Sequence, residues 1–307
     1  MSGSGVALAA IAPYDFTLST RLFSSAETAE EGCYRLATRI GDHPALISVN
    51  DHGSVDHPQV RMIVQANPPL PADQMEKLKL LTGSILNLAL DLSPFYRSVK
   101  NDPVLGRITD LLRGLKPRKT PTIFESLVRS ILEQQISLVA AHHIQERLIH
   151  AYGEPLSLEE GTFYVFPTPE KLARTSEEKL RGCGLSGKKA SYIIGIAQDV
   201  VDGSFLIEDL AKEENFDSVL SELTTLRGVG EWTAEMVLLR GIGRYEAFPA
   251  GDLGLRKTLS HFYRSGKDVM EREEARHLAE QWGPWKGLAG FYLIAAEILG
   301  YAPSTGM

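Results

Sequence analysis

Residues 226–241, LRGVGEWTAEMVLLRG, decide how the rest of the chain is read. An amphipathic run over 217–225 leads into Gly228-Val229-Gly230, and a second helical run starts at Glu231 after a hairpin's width. Two glycines weaken any helix they interrupt, so they mark a turn whose N–H groups carry no side-chain cover. The unpaired N–H groups at the start of the second helix then form an anion site, and Val229 can plug the helix pair. Such a unit grips a backbone phosphate through dipoles, without a lysine. Taken alone, Gly-Val-Gly is also an ordinary helix end. The chain writes the pattern twice more, as LRGCG (180–184) and LRGIG (239–243). In the last of these, Gly241 reads as a C-cap. After LRGCG, Ser186 can cap a helix whose first turn follows Gly187 with Lys188 and Lys189. Cations there oppose the helix dipole by about a few tenths of a kcal/mol, a weak hint of phosphate.

Upstream, "FESLVRSILEQQISLVAAHHIQERLIHAYG" keeps helical spacing and ends on Gly153, a C-cap. From about Ile123 onward nearly every periodic stretch reads as helix, which makes a multi-helix bundle the natural architecture. The first hundred residues differ. "YDFTLSTRLF" (14–23), "ALISVN" (45–50) and "QVRMIVQA" (59–66) read as strands, whereas "SAETAEEGCYRLATRI" and "PADQMEKLKLLTGSILNLALDL" read as helices. "KPRKTPT" (116–122) is a basic, proline-punctuated hinge. The expected fold is therefore mostly α: a mixed α/β domain over 1–115, then an all-α domain over 116–307.

With 43% hydrophobic and 23% charged residues, the 307-residue chain has an ordinary globular composition. No apolar run approaches a membrane span, and no basic residue precedes the short apolar stretch at the N-terminus. Cys33 and Cys183 cannot supply a four-thiolate cluster or an all-cysteine zinc site, and they point to a reducing, intracellular protein. Adjacent His142 and His143 lack metal-ligand spacing, so no metal site is expected. The net charge of -7 argues mildly against a polyanion-coating protein. Seven Lys/Arg nevertheless fall between Arg97 and Lys119, against Asp102 and Asp110, a segregation compatible with one nucleic-acid face.

Downstream of the hairpin, 22 residues past Gly230, lies the Asp252 of "FPAGDLGLRK". A hairpin followed by a loop with one aspartate resembles the helix–hairpin–helix DNA glycosylases. Within them, the chain is similar to the 3-methyladenine DNA glycosylase II family in "PYDF", "ILEQQIS", "FPTPEKLA", "LRGVGEWTAEMVLLRG", "FPAGDLGLRK" and "WGPWKGLAGFYL". These blocks run in the family's order over nearly the whole chain. The resemblance implies an all-α helix–hairpin–helix glycosylase body behind a small α/β domain, with alkylated duplex DNA as partner. The protein would work as a monomer at the chromosome, in the cytoplasm or, in a eukaryote, the nucleus. No cofactor is implied beyond a monovalent cation that the hairpin's main-chain carbonyls can hold.

By the same resemblance, Asp252 is the catalytic carboxylate and Trp232, Met236 and Ile294 border the base pocket. Gly228, Val229, Gly230, Thr233, Gln135, Gly187 and Lys188 meet DNA, with Gln135 as the wedge that fills the gap of a flipped base. Asp252 is equally a favoured N-cap for a helix starting at Leu253, and the two roles are compatible. An ionised carboxylate suits a sugar that becomes an oxocarbenium ion. An alkylated purine such as 3-methyladenine or 7-methylguanine carries positive charge and departs neutral, so one carboxylate suffices. Trp232 stands where strand-cutting relatives carry a Schiff-base lysine, which points to a monofunctional enzyme. Gly251 is where some relatives carry another Asp. Gln135 and Ile294 depart from the family, in which some relatives have an apolar wedge and a pocket Trp often stands. That leaves Trp282 and Trp285 as packing residues. Two other readings stay open: a non-catalytic DNA-binding module, and an 8-oxoguanine-type glycosylase.

Overall fold

The computed structural model describes residues 5–22, 29–30, 32–264 and 268–301. Five antiparallel strands come first: β1 (Val6–Leu8), β2 (Ala29–Glu30), β3 (Cys33–Ile40), β4 (His43–Asp51) and β5 (Val60–Gln65), ordered β1-β5-β4-β3-β2. The β3–β4 register runs from Cys33↔Asn50 to Ile40↔His43 around Gly41, whose φ of 56° suits a tight hairpin. Ile47, Val49, Val60 and Met62 bury one face against Leu78 and Ile85 of helix α2 (Ala72–Ile85), which follows the short helix α1 (Phe16–Arg21).

Two expectations for this layer are corrected. Residues 14–23, read as a strand, contain α1, because the Asp15 carboxylate accepts from Leu18 N–H at 2.8 Å and starts a turn. Residues 25–40, read as a helix, contain β3, where Tyr34 and Thr38 are buried by pairing with β4. Tertiary pairing overrides local propensity there. Residues 25–28 lie outside the described residues.

Helices α3 (Ser93–Val99) and α4 (Leu105–Leu111) do not pack on the sheet. They share a core with α12 (Leu253–Arg264), α13 (Arg272–Glu280) and α14 (Lys286–Ile298). Beside that core the half-buried Asp102 accepts from the N–H groups of Val104 and Leu105, the Tyr263 hydroxyl at 2.9 Å and the Trp282 indole at 3.0 Å. Trp282 is buried as expected, and Trp285 packs against Phe95 with the rings tilted by 49°. The knot fixes one end of α12; the candidate site lies at the other.

The third core joins α5 (Ile123–Glu133), α6 (Leu138–Tyr152), α7 (Pro169–Ala173), α8 (Glu177–Gly182), α9 (Gly187–Val201), α10 (Phe216–Thr225) and α11 (Glu231–Val237). This body is not uninterrupted helix. Strands β6 (Glu154–Leu158) and β7 (Gly161–Val165) form a hairpin that carries Glu160 to Gln65 (2.6 Å) and Arg35 (3.8 Å) of the sheet, and Glu154 to Arg39. Residues 124–153 are two helices, not one, broken at Gln134–Ser137. Gly241 is not a C-cap either. Leu238–Ile242 forms a π-helical turn that ends at Gly243 (φ 91°), and Gly241 sits where a Cβ would come 3.0 Å from the Ser126 Cβ of α5.

Candidate active site

Asp252 caps α12. Its Oδ1 accepts from Leu255 N–H at 2.8 Å, so the capping expectation holds. Oδ2 accepts from the Trp232 indole N–H at 3.1 Å. Both carboxylate oxygens are therefore held, one by the helix and one by the hairpin. Gly254 allows this closeness, since a Cβ there would come 3.0 Å from Oδ1, whereas a Cβ on Gly251 would make only ordinary contact with the Trp232 Cβ at 3.7 Å. The loop itself is closed by Asp252 N–H donating to Pro249 C=O at 2.8 Å.

The carboxylate faces a cleft of about 1930 Å³ whose walls come from both layers: Leu22, Tyr34 and Leu36 on the sheet side, and the helical body opposite. Trp232, Met236 and Ile294 all line it, as do Gly228, Val229, Gly230, Thr233, Gln135 and Lys188. Gly187 does not, although its neighbours Ser186 and Lys188 do. Gly287, Gly290, Phe291, Ile294 and Leu253 also line the cleft. The cleft also carries two ion pairs, Arg129–Glu125 at 2.5 Å and Arg240–Glu133 at 2.6 Å.

The hairpin has the expected form. Gly228 holds φ 88°, and Val229 is buried in the core of α5–α11. Gly230 caps α11 with no side-chain hydrogen bond and nothing near its Cβ position, so the first turn of α11 is open toward the cleft. Gly228 is the less replaceable of the two, since a Cβ there would lie 2.2 Å from the Tyr192 ring. The Arg227 guanidinium lies 5.6 Å over the same ring.

Gln135 is exposed and adopts φ 57°, a conformation that costs a non-glycine residue about 1–3 kcal/mol and clusters at functional sites. Exposed Ile136, Leu138 and Val139 follow it. Two residues shape this region through contacts the sequence did not show, and one of them, Lys189, read there with Lys188 as a hint of phosphate, is instead engaged with main-chain carbonyls. Gln134 donates its amide to Gly228 C=O and to the Thr233 hydroxyl, both at 2.9 Å. Lys189 donates to Leu132 C=O at 2.8 Å and Gln134 C=O at 2.7 Å, which satisfies the end of α5 and leaves Lys188 as the exposed lysine of the pair. Partners 94 and 55 residues away leave no local pattern to read.

The basic segment 97–119 does not form the cleft's face. Only Arg118 and Lys119 of the seven line it; Arg113 pairs with Asp56 at 2.5 Å. Lys116 is fully buried, donating to Ile11 and Leu88 carbonyls, and burial pushes its ammonium down to about 8. Behind the hairpin, burial pushes the Glu235 carboxyl up to about 7 although Arg276, 3.1 Å away, pulls against it. Among the described residues no group of His, Cys, Asp and Glu is arranged to hold a metal ion, and no helix is long and apolar enough to cross a membrane.

Residues 128–284, which include the hairpin and Asp252, match the family of HhH-GPD superfamily base excision DNA repair proteins. The chain is 32% identical over 236 residues to a DNA-3-methyladenine glycosylase of Bacillus subtilis, covering 76% of this chain and 77% of that one. Its fold superposes on a 3-methyladenine DNA glycosylase from Archaeoglobus fulgidus with a TM-score of 0.83 at 25% identity, over 97% of this chain and 99% of the other. The Schizosaccharomyces pombe enzyme Mag1, solved with abasic DNA, matches 68% of this chain and 98% of its own at 25% identity and a TM-score of 0.58. With its hairpin, its capping aspartate and its two-walled cleft in that order, the chain belongs to the HhH-GPD superfamily of base excision DNA repair glycosylases.

Proposed function

We propose that this glycosylase hydrolyses the N-glycosidic bond of alkylated purines in duplex DNA and leaves an intact abasic site. The observation that carries the reading is the Asp252 carboxylate, fixed at both oxygens at the wall of a cleft formed between the sheet and the helical body. Its relatives named for 3-methyladenine support the substrate class.

In this reading the open first turn of α11 takes a phosphate of the lesion strand, and Gln135 enters the stack as the damaged nucleotide turns into the cleft. The alkylated base rests against Trp232, Met236 and Ile294. As the glycosidic bond lengthens, positive charge develops on the sugar, and the Asp252 carboxylate stabilises it and orients the attacking water. The base leaves neutral because it was cationic when bound, so no general acid is required. Trp232 puts no nucleophilic amine where strand-cutting relatives carry their Schiff-base lysine, and in this reading water is the attacker. This reading also takes a monovalent cation at the hairpin's main-chain carbonyls. The carbonyls of Leu226 and Gly228 are each engaged once, by Val229 N–H and by Gln134, and each has a second lone pair for a cation that would stiffen the turn. In this reading the acting unit is a monomer.

The test is release of free base from methylated, end-labelled duplex, half of it then treated with hot alkali and half with borohydride. Base release, strand breaks only after alkali and no trapped adduct are expected. Asp252→Asn, which keeps the cap, should lose release by about 100-fold or more while still binding DNA. A stoichiometric borohydride adduct, or excision by Asp252→Asn at the wild-type rate, would overturn the assignment.

A further inference from the structure

The break between α5 and α6 is fastened from two sides, by groups the glycosidic chemistry does not use. On one side the Gln134 amide donates to the hairpin at Gly228 C=O and Thr233 Oγ1, both 2.9 Å away. On the other, the Lys189 ammonium donates to Leu132 C=O and to Gln134 C=O, at 2.8 and 2.7 Å. The second of these carbonyls belongs to the peptide that joins Gln134 to Gln135. Its plane is thus pinned immediately before the residue that holds φ 57°. Both carbonyls belong to the last turn and C-cap of α5, so the lysine closes the helix and in the same contact holds the peptide that leads into Gln135. The hairpin carbonyl that Gln134 grips belongs to Gly228, itself confined by the Tyr192 ring.

We infer that Gln134 and Lys189 are positioning residues that lock the exposed Gln135 turn to the phosphate-gripping hairpin, so that phosphate capture and insertion of Gln135 occur as one rigid movement. The inference rests on the proposed reading of the cleft. It adds that the wedge is aimed by the hairpin and not by α6. Without the lock, the hairpin still meets a phosphate, but Gln135 relaxes toward the common backbone regions and no longer points into the stack. Affinity for undamaged duplex and insertion at a lesion are then separable.

The experiment uses the full chain and a duplex with a tetrahydrofuran abasic analogue opposite 2-aminopurine, whose fluorescence reports insertion beside it. Gln134→Ala and Lys189→Met are compared with wild type for insertion signal at saturation, affinity for undamaged duplex, and base release from methylated DNA. Thermal melting is recorded separately. Insertion signal and base release should fall about tenfold, the scale of lost charge-assisted or paired hydrogen bonds, with undamaged-duplex affinity within about threefold of wild type. Lys189→Arg, which can donate to both carbonyls, should recover most of the signal. If both variants melt at lower temperature yet give the full insertion signal at saturation, the residues only stabilise the fold and the inference fails. It fails equally if undamaged-duplex affinity and insertion fall in parallel. If wild type inserts but releases no base, the reading of the chemistry fails while the lock stands.

Discussion

Replacing Trp232 with Phe removes one atom group that matters, the indole N–H that reaches Asp252 Oδ2 at 3.1 Å, and leaves an aromatic ring beside the hairpin. The other oxygen keeps its bond from Leu255 N–H at 2.8 Å. The carboxylate in the variant is thus tethered at one oxygen and free to rotate about its own bond. A hydrogen bond to a charged acceptor contributes about 1.5–3 kcal/mol, and each 1.36 kcal/mol lost from transition-state stabilisation is tenfold in rate. Trp232→Phe should therefore lower kcat for release of 3-methyladenine by about 10- to 100-fold, with KM nearly unchanged because the ring still offers a stacking face. Single-turnover base release from methylated duplex, at saturating enzyme, isolates that step. A double-mutant cycle sharpens it. In an Asp252→Asn background the Phe substitution should cost far less than it does alone, because the group it positions has already lost its charge. A single variant within about twofold of wild type, or a cycle in which the two losses simply add, would refute the positioning role.

Gly228→Ala places a Cβ against the Tyr192 ring at a φ of 88°, and should weaken binding to damaged and undamaged duplex alike by about tenfold or more in a gel-shift titration. Gly230→Ala, with open space and an ordinary φ of -94°, should bind nearly as wild type. The buried Glu235 predicts a pH effect of definite sign. Held at about 7 in the fold against 4.5 in the free chain, its proton is lost first by the unfolded state, so stability falls as pH rises through that window. Glu235→Gln should remove up to about 3 kcal/mol of that fall, read as the difference between urea melts at pH 5 and pH 8; identical slopes for variant and wild type would contradict it.

The sequence by itself determined the hairpin, the cap and the family. Gly-X-Gly between two helical runs, and an aspartate ahead of "LGLRK", are written in neighbouring residues, because turns and caps are made by groups within a few positions of one another. It also marked Trp282 as a packing residue and Gln135 as exceptional. It misjudged the first layer, where an aspartate cap turned 16–21 into helix and pairing with β4 turned 33–40 into β3, because a cap and a sheet partner outweigh the propensity of the residues themselves. Only the tertiary structure decided that Trp232 donates to Asp252 across 20 positions and that Gln134 reaches Gly228 across 94. It also showed that Lys116, counted among the cations of a binding face, is buried with main-chain carbonyls. Such bonds join residues by distance in space and follow no period along the chain, so the sequence holds the parts of the site while the packing of α5, α9, α11 and α12 assembles it.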